Sequence, residues 1–270
     1  MAYPEQCELC PINKNSKLVK LGEGSGPTDF VVALAGNPNV GKSTVFNNLT
    51  GLRQHTGNWP GKTVTRAEGA FSYDGSNYKV MDLPGTYSLM TTSTDEEVAR
   101  DFILFGKPDV TVVVLDATRL ERNLNLVLQV LEITDKAVVC VNLIDEAKRK
   151  GITIDDRSLA RELGVPVVLA AAREGRGMPE LLQSIRDVAT GALICKPRRS
   201  WTADKKVKKA VDELVEQIEE AYPGLANVRW VALRLLEGDQ RIIDAIRSGE
   251  LTTLAEHGEQ SKQVISSEKE

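Results

Sequence analysis

Hydrophobic positions along this chain change rhythm twice, and the changes divide it. Residues 1–29 are mostly polar and end in Gly22-Glu23-Gly24-Ser25-Gly26-Pro27, a composition that reads as a flexible arm and linker. A continuous apolar run, Phe30 to Ala35, then reads as a buried strand and leads directly into a helical pattern with Val45, Phe46 and Leu49. Residues 67–83 read as a hairpin, with Phe71 and Tyr73 before the turn dipeptide Asp74-Gly75 and Tyr78, Val80 and Leu83 after it.

From there strand and helix patterns alternate. Thr94-Asp95-Glu96-Glu97 has capping-box form and predicts a helix to about Phe105. Val110–Leu115, Ala137–Val141 and Val165–Leu169 predict buried strands. Leu120–Ile133, Asp155–Leu163 and Pro179–Ala189 predict helices, the last two stopped by Gly164 and Gly191. Such alternation implies an α/β domain over 30–192, a mostly parallel sheet with helices on both faces, whose ligand lies at the carboxyl ends of the strands.

From about residue 196 strands disappear. Val207, Val211, Leu214, Val215, Ile218 and Tyr222 recur at helical spacing, and Asn227–Glu237 and Gln240–Arg247 predict two more helices. An all-α module over 193–257 and a disordered tail over 258–270 are expected.

Composition narrows the classes. A hydrophobic fraction of 41% and a charged fraction of 27% are those of a soluble globular protein. The net charge of -4 supplies no basic field for nucleic acid. No run reaches the ~18–20 apolar residues of a membrane helix. The start, MAYPEQCELC, has neither basic residues nor an apolar core, so a secretory signal is not expected and the segment reads as cytosolic. Cys140 lies in an apolar run and reads as a buried, reduced thiol. Cys7 and Cys10 form a lone CxxC, short of the roughly four ligands a closed thiolate site needs. His55 and His257 lack ligand spacing, and His55 reads as a loop residue.

Chemistry concentrates where the strands end. Gly36-Asn37-Pro38-Asn39-Val40-Gly41-Lys42-Ser43-Thr44 has the Walker A form, placed between a predicted strand and a predicted helix. Glycines let backbone N–H groups turn inward around phosphates, and the helix adds its positive dipole end. Lys42 would reach the β- and γ-phosphates, and the Ser43 hydroxyl would ligate Mg²⁺.

Asp82-Leu83-Pro84-Gly85 ends the hairpin; its carboxylate would hold Mg²⁺ through water and its glycine N–H would meet the γ-phosphate. Asn142-Leu143-Ile144-Asp145 ends another strand. Guanine presents N1–H and N2–H₂ side by side, and one carboxylate, Asp145, would accept both; adenine lacks that pair. Ile144 stands where lysine is common. Ala171-Ala172-Arg173 would offer a backbone N–H to the guanine oxygen, although serine is usual at its first position. Gly57 to Thr65 is a long polar loop suited to a nucleotide-dependent switch. Within it Gly61, Lys62, Thr63, Val64 and Thr65 are nucleotide-contact candidates; Thr63 is the first choice to complete Mg²⁺ and Thr65 the second.

These residues resemble the cytosolic GTPase domain of ferrous-iron transport protein B (FeoB). The resemblance rests on GNPNVGKSTVFNNLTG (36–51), GNWPGKTVT (57–65), DLPGTYSL (82–89) and NLIDEAKRKGI (142–152). It implies a Ras-like P-loop GTPase fold, followed by a helical regulatory module that slows nucleotide release and through which oligomers can form. It also implies attachment to a membrane-embedded Fe²⁺ transporter portion of the same protein, on the cytoplasmic face of the bacterial inner membrane.

Asn39 is then the residue expected to hold a stimulatory K⁺. The catalytic set implied is Asn39, Lys42, Thr63, Gly85 and Thr86. Thr86 stands where many small GTPases carry a water-orienting glutamine, so slow intrinsic turnover is expected. Two other classes compete. One is a soluble potassium-dependent GTPase of ribosome assembly or tRNA modification, which would usually append a basic RNA-binding module. The other is a binding module in which occupancy matters and hydrolysis does not.

Overall fold

A computed structural model describes residues 18–19, 28–51, 55–59, 64–90, 93–198, 205–225 and 227–249. The chain divides into two compact units, Met1–Arg199 and Ser200–Glu270.

The first unit is built on one eight-stranded sheet. Its strands are β1 (Leu18–Val19), β2 (Phe30–Gly36), β3 (His55–Asn58), β4 (Thr65–Tyr73), β5 (Ser76–Asp82), β6 (Val110–Asp116), β7 (Ala137–Asn142) and β8 (Val167–Leu169). The order is β1-β4-β5-β2-β6-β7-β8, with β3 also on β4. Strands β5, β2, β6, β7 and β8 run parallel. β4 closes the sheet antiparallel to β5. Every residue of β7 is buried, as are Val110 to Leu115 of β6. Helices cover both faces of such strands, which explains their unbroken Val-rich runs.

The helices of this unit are α1 (Lys42–Thr50), α2 (Thr94–Phe105), α3 (Leu120–Ile133), α4 (Ile144–Arg149), α5 (Asp156–Leu163) and α6 (Met178–Ala189). On one face Phe46 and Leu49 of α1 and Leu181, Leu182 and Ile185 of α6 pack with Val32, Val112 and Cys140 of the sheet. The β4–β5 turn places Asp74 (φ 51°) and Gly75 (φ 84°) in the left-handed region, the two-residue turn that suits strand twist. Phe71 and Tyr78, opposite each other in this hairpin, stack with ring centroids 4.9 Å apart.

Four expectations are corrected. The arm is not wholly unstructured, since Leu18 and Val19 pair with Tyr73 and Ser72. His55 is in β3 and not in a loop, and β3 pairs with the first residues of β4. Both additions pair with parts of the outer edge of β4, residues 65–68 and 72–73. The cap of α2 is Ser93, one residue before the capping-box form; its hydroxyl accepts from Glu96 N–H at 3.3 Å. Residues 193–198 stay with the first unit, where Leu193 N–H donates to Asp187 O at 2.8 Å and Lys196 N–H to Gly164 O at 2.9 Å. Cys7, Cys10, Gly61, Lys62, Thr63, His257 and residues 258–270 lie outside the described residues.

The second unit contains α7 (Lys205–Ala221), α8 (Val228–Leu236) and α9 (Gln240–Arg247). Val211, Ile218, Trp230, Val231, Ile242 and Ala245 form its buried face. Arg229 of α8 bridges to Asp212 of α7 at 2.7 Å. No helix among the described residues is long and apolar enough to cross a membrane.

Candidate functional site at the carboxyl edge of the sheet

The segment after β2 is shaped by close backbone approach. A Cβ on Gly36 would come within 2.7 Å of Val114 O on β6. Gly41 caps α1 in the left-handed region at φ 81°, and a Cβ there would meet Asn142 Nδ2 at 2.4 Å. Neither position accepts a larger residue without movement. Asn39 is also left-handed (φ 66°) and exposed, a conformation that asparagine tolerates better than most side chains. Asn37 and Val40 are buried, so within this loop the exposed surface comes from Asn39 and from Ser43 at the start of α1.

Asp82 ends β5 beside the same loop, and its carboxylate accepts from Lys42 Nζ. Burial pushes the Asp82 carboxyl upward and the Lys42 ammonium pulls it down, with burial the larger effect. The tetrapeptide that Asp82 opens is sewn to β2 and its loop. Leu83 N–H donates to Leu34 O at 3.0 Å and Thr86 N–H to Gly36 O at 3.1 Å. A Cβ on Gly85 would lie 3.4 Å from Pro38 Cα. Thr86 is 3% exposed, and its hydroxyl is bonded within its own loop, donating to Ser88 O and accepting from Ser88 N–H.

Asn142 joins the phosphate loop to the other two segments. Its side chain is buried at the end of β7, and its Nδ2 donates to Val40 O at 3.0 Å. Its Oδ1 accepts from Ala172 N–H at 2.9 Å. Leu143 (φ 63°) then turns the chain into α4, and Ile144 N–H donates to Ala170 O at 3.2 Å. Asp145 sits in the first turn of α4, next to Ile144, and pairs at the surface with Arg149 at 3.2 Å. Arg173 is exposed.

A second clamp was not legible in the motifs. Asn48 of α1 donates to both Thr44 O (2.9 Å) and Ala172 O (2.8 Å). Asn48 and Ala172 are 124 residues apart, and no local pattern announces such a contact.

The loop between α1 and β4 is only partly described. Asn58 pairs with Thr65, and Trp59 N–H donates to Val64 O at 2.9 Å. The Trp59 ring packs edge-on against Phe102 of α2, centroids 5.3 Å apart. Val64 and Thr65 line a cleft of about 620 Å³ with Pro84, Gly85, Ser93, Thr94 and Asp95. The sequence candidates on β2, β5, β7 and the turn after β8 therefore converge, and the candidates at the end of the switch loop face Gly85 across this cleft.

The convergence can be set beside known proteins. A family model described as ferrous iron transport protein B matches residues 30–185, and one described as the FeoB cytosolic helical domain matches 204–269. The chain belongs to this family. Within it, residues 30–185 are a GTPase domain and residues 204–269 the helical domain that follows. The Fe(2+) transporter FeoB of Salmonella typhimurium is 41% identical over 215 residues, covering 78% of this chain and 27% of that protein. The Escherichia coli K12 transporter is 40% identical over 214 residues, with the same coverage of 78% and 27%. The chain thus spans about a quarter of the length of these curated relatives.

Among solved structures, the cytosolic domain of Thermotoga maritima FeoB in a GDP form matches with TM-score 0.73 and 37% identity, covering 85% of this chain and 87% of that one. The cytosolic domain of Legionella pneumophila FeoB matches with TM-score 0.73 and 34% identity, covering 83% and 88%.

Proposed function

We propose that this chain binds GTP and hydrolyses it with Mg²⁺ and K⁺, and that its nucleotide cycle regulates or drives Fe²⁺ uptake by a membrane-embedded portion of the same protein. The observation that carries the nucleotide reading is the Asn142 amide. It ties the phosphate loop at Val40, two residues before Lys42, to the turn at Ala172, and it stands three residues before Asp145. A ligand with phosphates at one end and a two-donor base edge at the other fits that arrangement.

The chain's own groups divide the work. Backbone N–H groups of the loop and of the start of α1 wrap the phosphates, and Asn37, Pro38 and Val40 set the loop's shape. Lys42 exchanges its Asp82 partner for phosphate oxygens, so both groups stay paired throughout. Ser43, Asp82 and Thr63, with Thr65 second, are a hard oxygen set that fits Mg²⁺. The exposed amide oxygen of Asn39 fits K⁺. When bound, these ions supply positive charge to the triphosphate oxygens. Gly85 offers its N–H to the γ-phosphate, with Leu83 and Pro84 shaping the approach. Thr86 contributes through its backbone, its hydroxyl being held by Ser88. Asp145 accepts from the guanine edge, and Asn142, Leu143, Ile144, Ala171, Ala172 and Arg173 frame the base. The segment acts at the cytoplasmic face of the inner membrane, with no nucleic-acid partner. Oligomers would form through the helical module.

Replacing Asp145 with asparagine tests the base. The variant should lose about tenfold or more in GTP affinity, the worth of a buried bidentate pair, and gain affinity for xanthosine triphosphate. Unchanged GTP affinity sinks the assignment. Asn39→Ala should abolish potassium stimulation while leaving the basal rate in place; stimulation that survives refutes the K⁺ role. In the full-length protein, Asp145→Asn should depress Fe²⁺ uptake, and unaffected uptake would break the link to transport.

A further inference from the structure

The loop that follows Gly85 is held by a residue outside every nucleotide motif. Gln129 projects from α3, whose neighbouring residues Leu126, Val127, Val130 and Leu131 are buried. Its Oε1 accepts from Leu89 N–H at 2.6 Å and from the Ser88 hydroxyl at 3.2 Å. A backbone N–H can only donate, so the atom facing Leu89 must be the amide oxygen. Leu89 is 2% exposed and Gln129 half-buried, so the bond is partly shielded from water.

The contact is transmitted towards the phosphate loop. Ser88 holds the Thr86 hydroxyl, and Thr86 N–H is bonded to Gly36 O at 3.1 Å. Met90 N–H donates back to the Ser88 hydroxyl at 3.0 Å, closing the turn. Seven residues before Gln129, two turns along the same helix, the Arg122 guanidinium lies 4.5 Å over the Tyr87 ring. Helix α3 thus grips the loop at a half-buried point and at a surface point, on either side of Ser88.

We propose that Gln129 is a positioning residue for hydrolysis: it fixes the loop 86–90 against α3 and so sets where Gly85 N–H stands relative to the γ-phosphate. This rests on the GTPase reading of the site. Positioning acts on the chemical step, because Gly85 meets the γ-phosphate and GDP has none. Removing the grip should therefore lower kcat and spare GDP affinity.

The test uses the full chain with two substitutions. Gln129→Leu keeps the shape and removes the acceptor; Gln129→Glu keeps an oxygen in the same place. Misplacing a group near the reacting atoms costs about tenfold to a hundredfold, so kcat of the leucine variant should fall by at least about tenfold. Its GDP Kd should stay within about threefold, and the glutamate variant should hold kcat within about threefold of the parent. Amide exchange at Leu89 reads the contact without any hydrolysis: it should accelerate in the leucine variant and not in the glutamate variant.

An unchanged exchange rate overturns the contact. Faster exchange with a parental kcat overturns the positioning role, as does an equal loss of kcat and GDP affinity. If the parent protein itself hydrolyses no GTP, the underlying reading fails and the exchange result still stands on its own. Should the leucine variant not fold, Gln129→Asn, one methylene shorter with the same amide, carries the same measurements.

Discussion

Replacing Asn142 with alanine tests the clamp on which the site depends. The substitution removes two hydrogen bonds and leaves their partners, Val40 O and Ala172 N–H, in residues that are 2% and 1% exposed. Each buried polar group left unpaired costs about 1–3 kcal/mol, so the first unit should lose about 2–6 kcal/mol, the lower figure if a water enters the space. Urea unfolding can be followed through Trp59 emission with Trp201 and Trp230 replaced by phenylalanine, which confines the signal to the first unit.

A second substitution makes the argument sharper. Gly41→Ala should cost about 1–2 kcal/mol for its left-handed backbone, plus a further cost because the new Cβ would lie 2.4 Å from Asn142 Nδ2. In the Asn142→Ala background that atom is gone and only the backbone strain remains. The double variant should thus be about 1–3 kcal/mol more stable than the sum of the singles predicts. A cost for Asn142→Ala below about 1 kcal/mol, or strict additivity, would refute the reasoning.

Three further outcomes are expected. Phe102→Ala should expose the Trp59 ring and raise acrylamide quenching of its emission, whereas unchanged quenching would mean the ring does not rest on α2. Burial holds the Cys140 thiol at about 12, above its unfolded value, so stability should be unaffected below about pH 8.5 and fall above it as the unfolded chain alone releases the proton. The Cys140 part of this loss should approach about 1.4 kcal/mol per pH unit and be absent from Cys140→Ala, where the raised Cys195 and Tyr78 groups still act; parallel pH profiles for the two proteins between pH 8 and 10.5 would contradict it. Gly164→Ala should destabilise by at least about 2 kcal/mol more than Gly191→Ala, because both share φ 73° but only the first would drive a Cβ to 1.9 Å from Lys196 O. Equal unfolding midpoints for these two variants would remove that explanation.

Much of the first unit was legible because its signals are local. The β4–β5 hairpin follows from Asp74-Gly75, since few other dipeptides accept two consecutive positive φ values. Strands β6 and β7 follow from unbroken apolar runs that only a sheet covered on both faces can bury. Lys42, Asp82 and Asp145 stand out as candidates because phosphate and base chemistry restrict which residue types can stand at those spacings.

What tertiary structure alone decided lies in contacts between segments far apart in the chain. His55 read as a loop residue because nothing local distinguishes a polar loop from a short strand that pairs with the edge of β4. Ser93 displaced Thr94 as the cap of α2 because several neighbouring hydroxyls could serve and packing selects among them. Local spacing and the chemistry of phosphate and guanine dictate which residue types can meet a nucleotide. The fold determined what holds them in place: Asn48 and Asn142 reaching the Ala172 turn, and Gln129 reaching Ser88 and Leu89 from α3. A side-chain amide is an ordinary polar residue along the chain, and it becomes a clamp only where folding brings a backbone partner to it and excludes water.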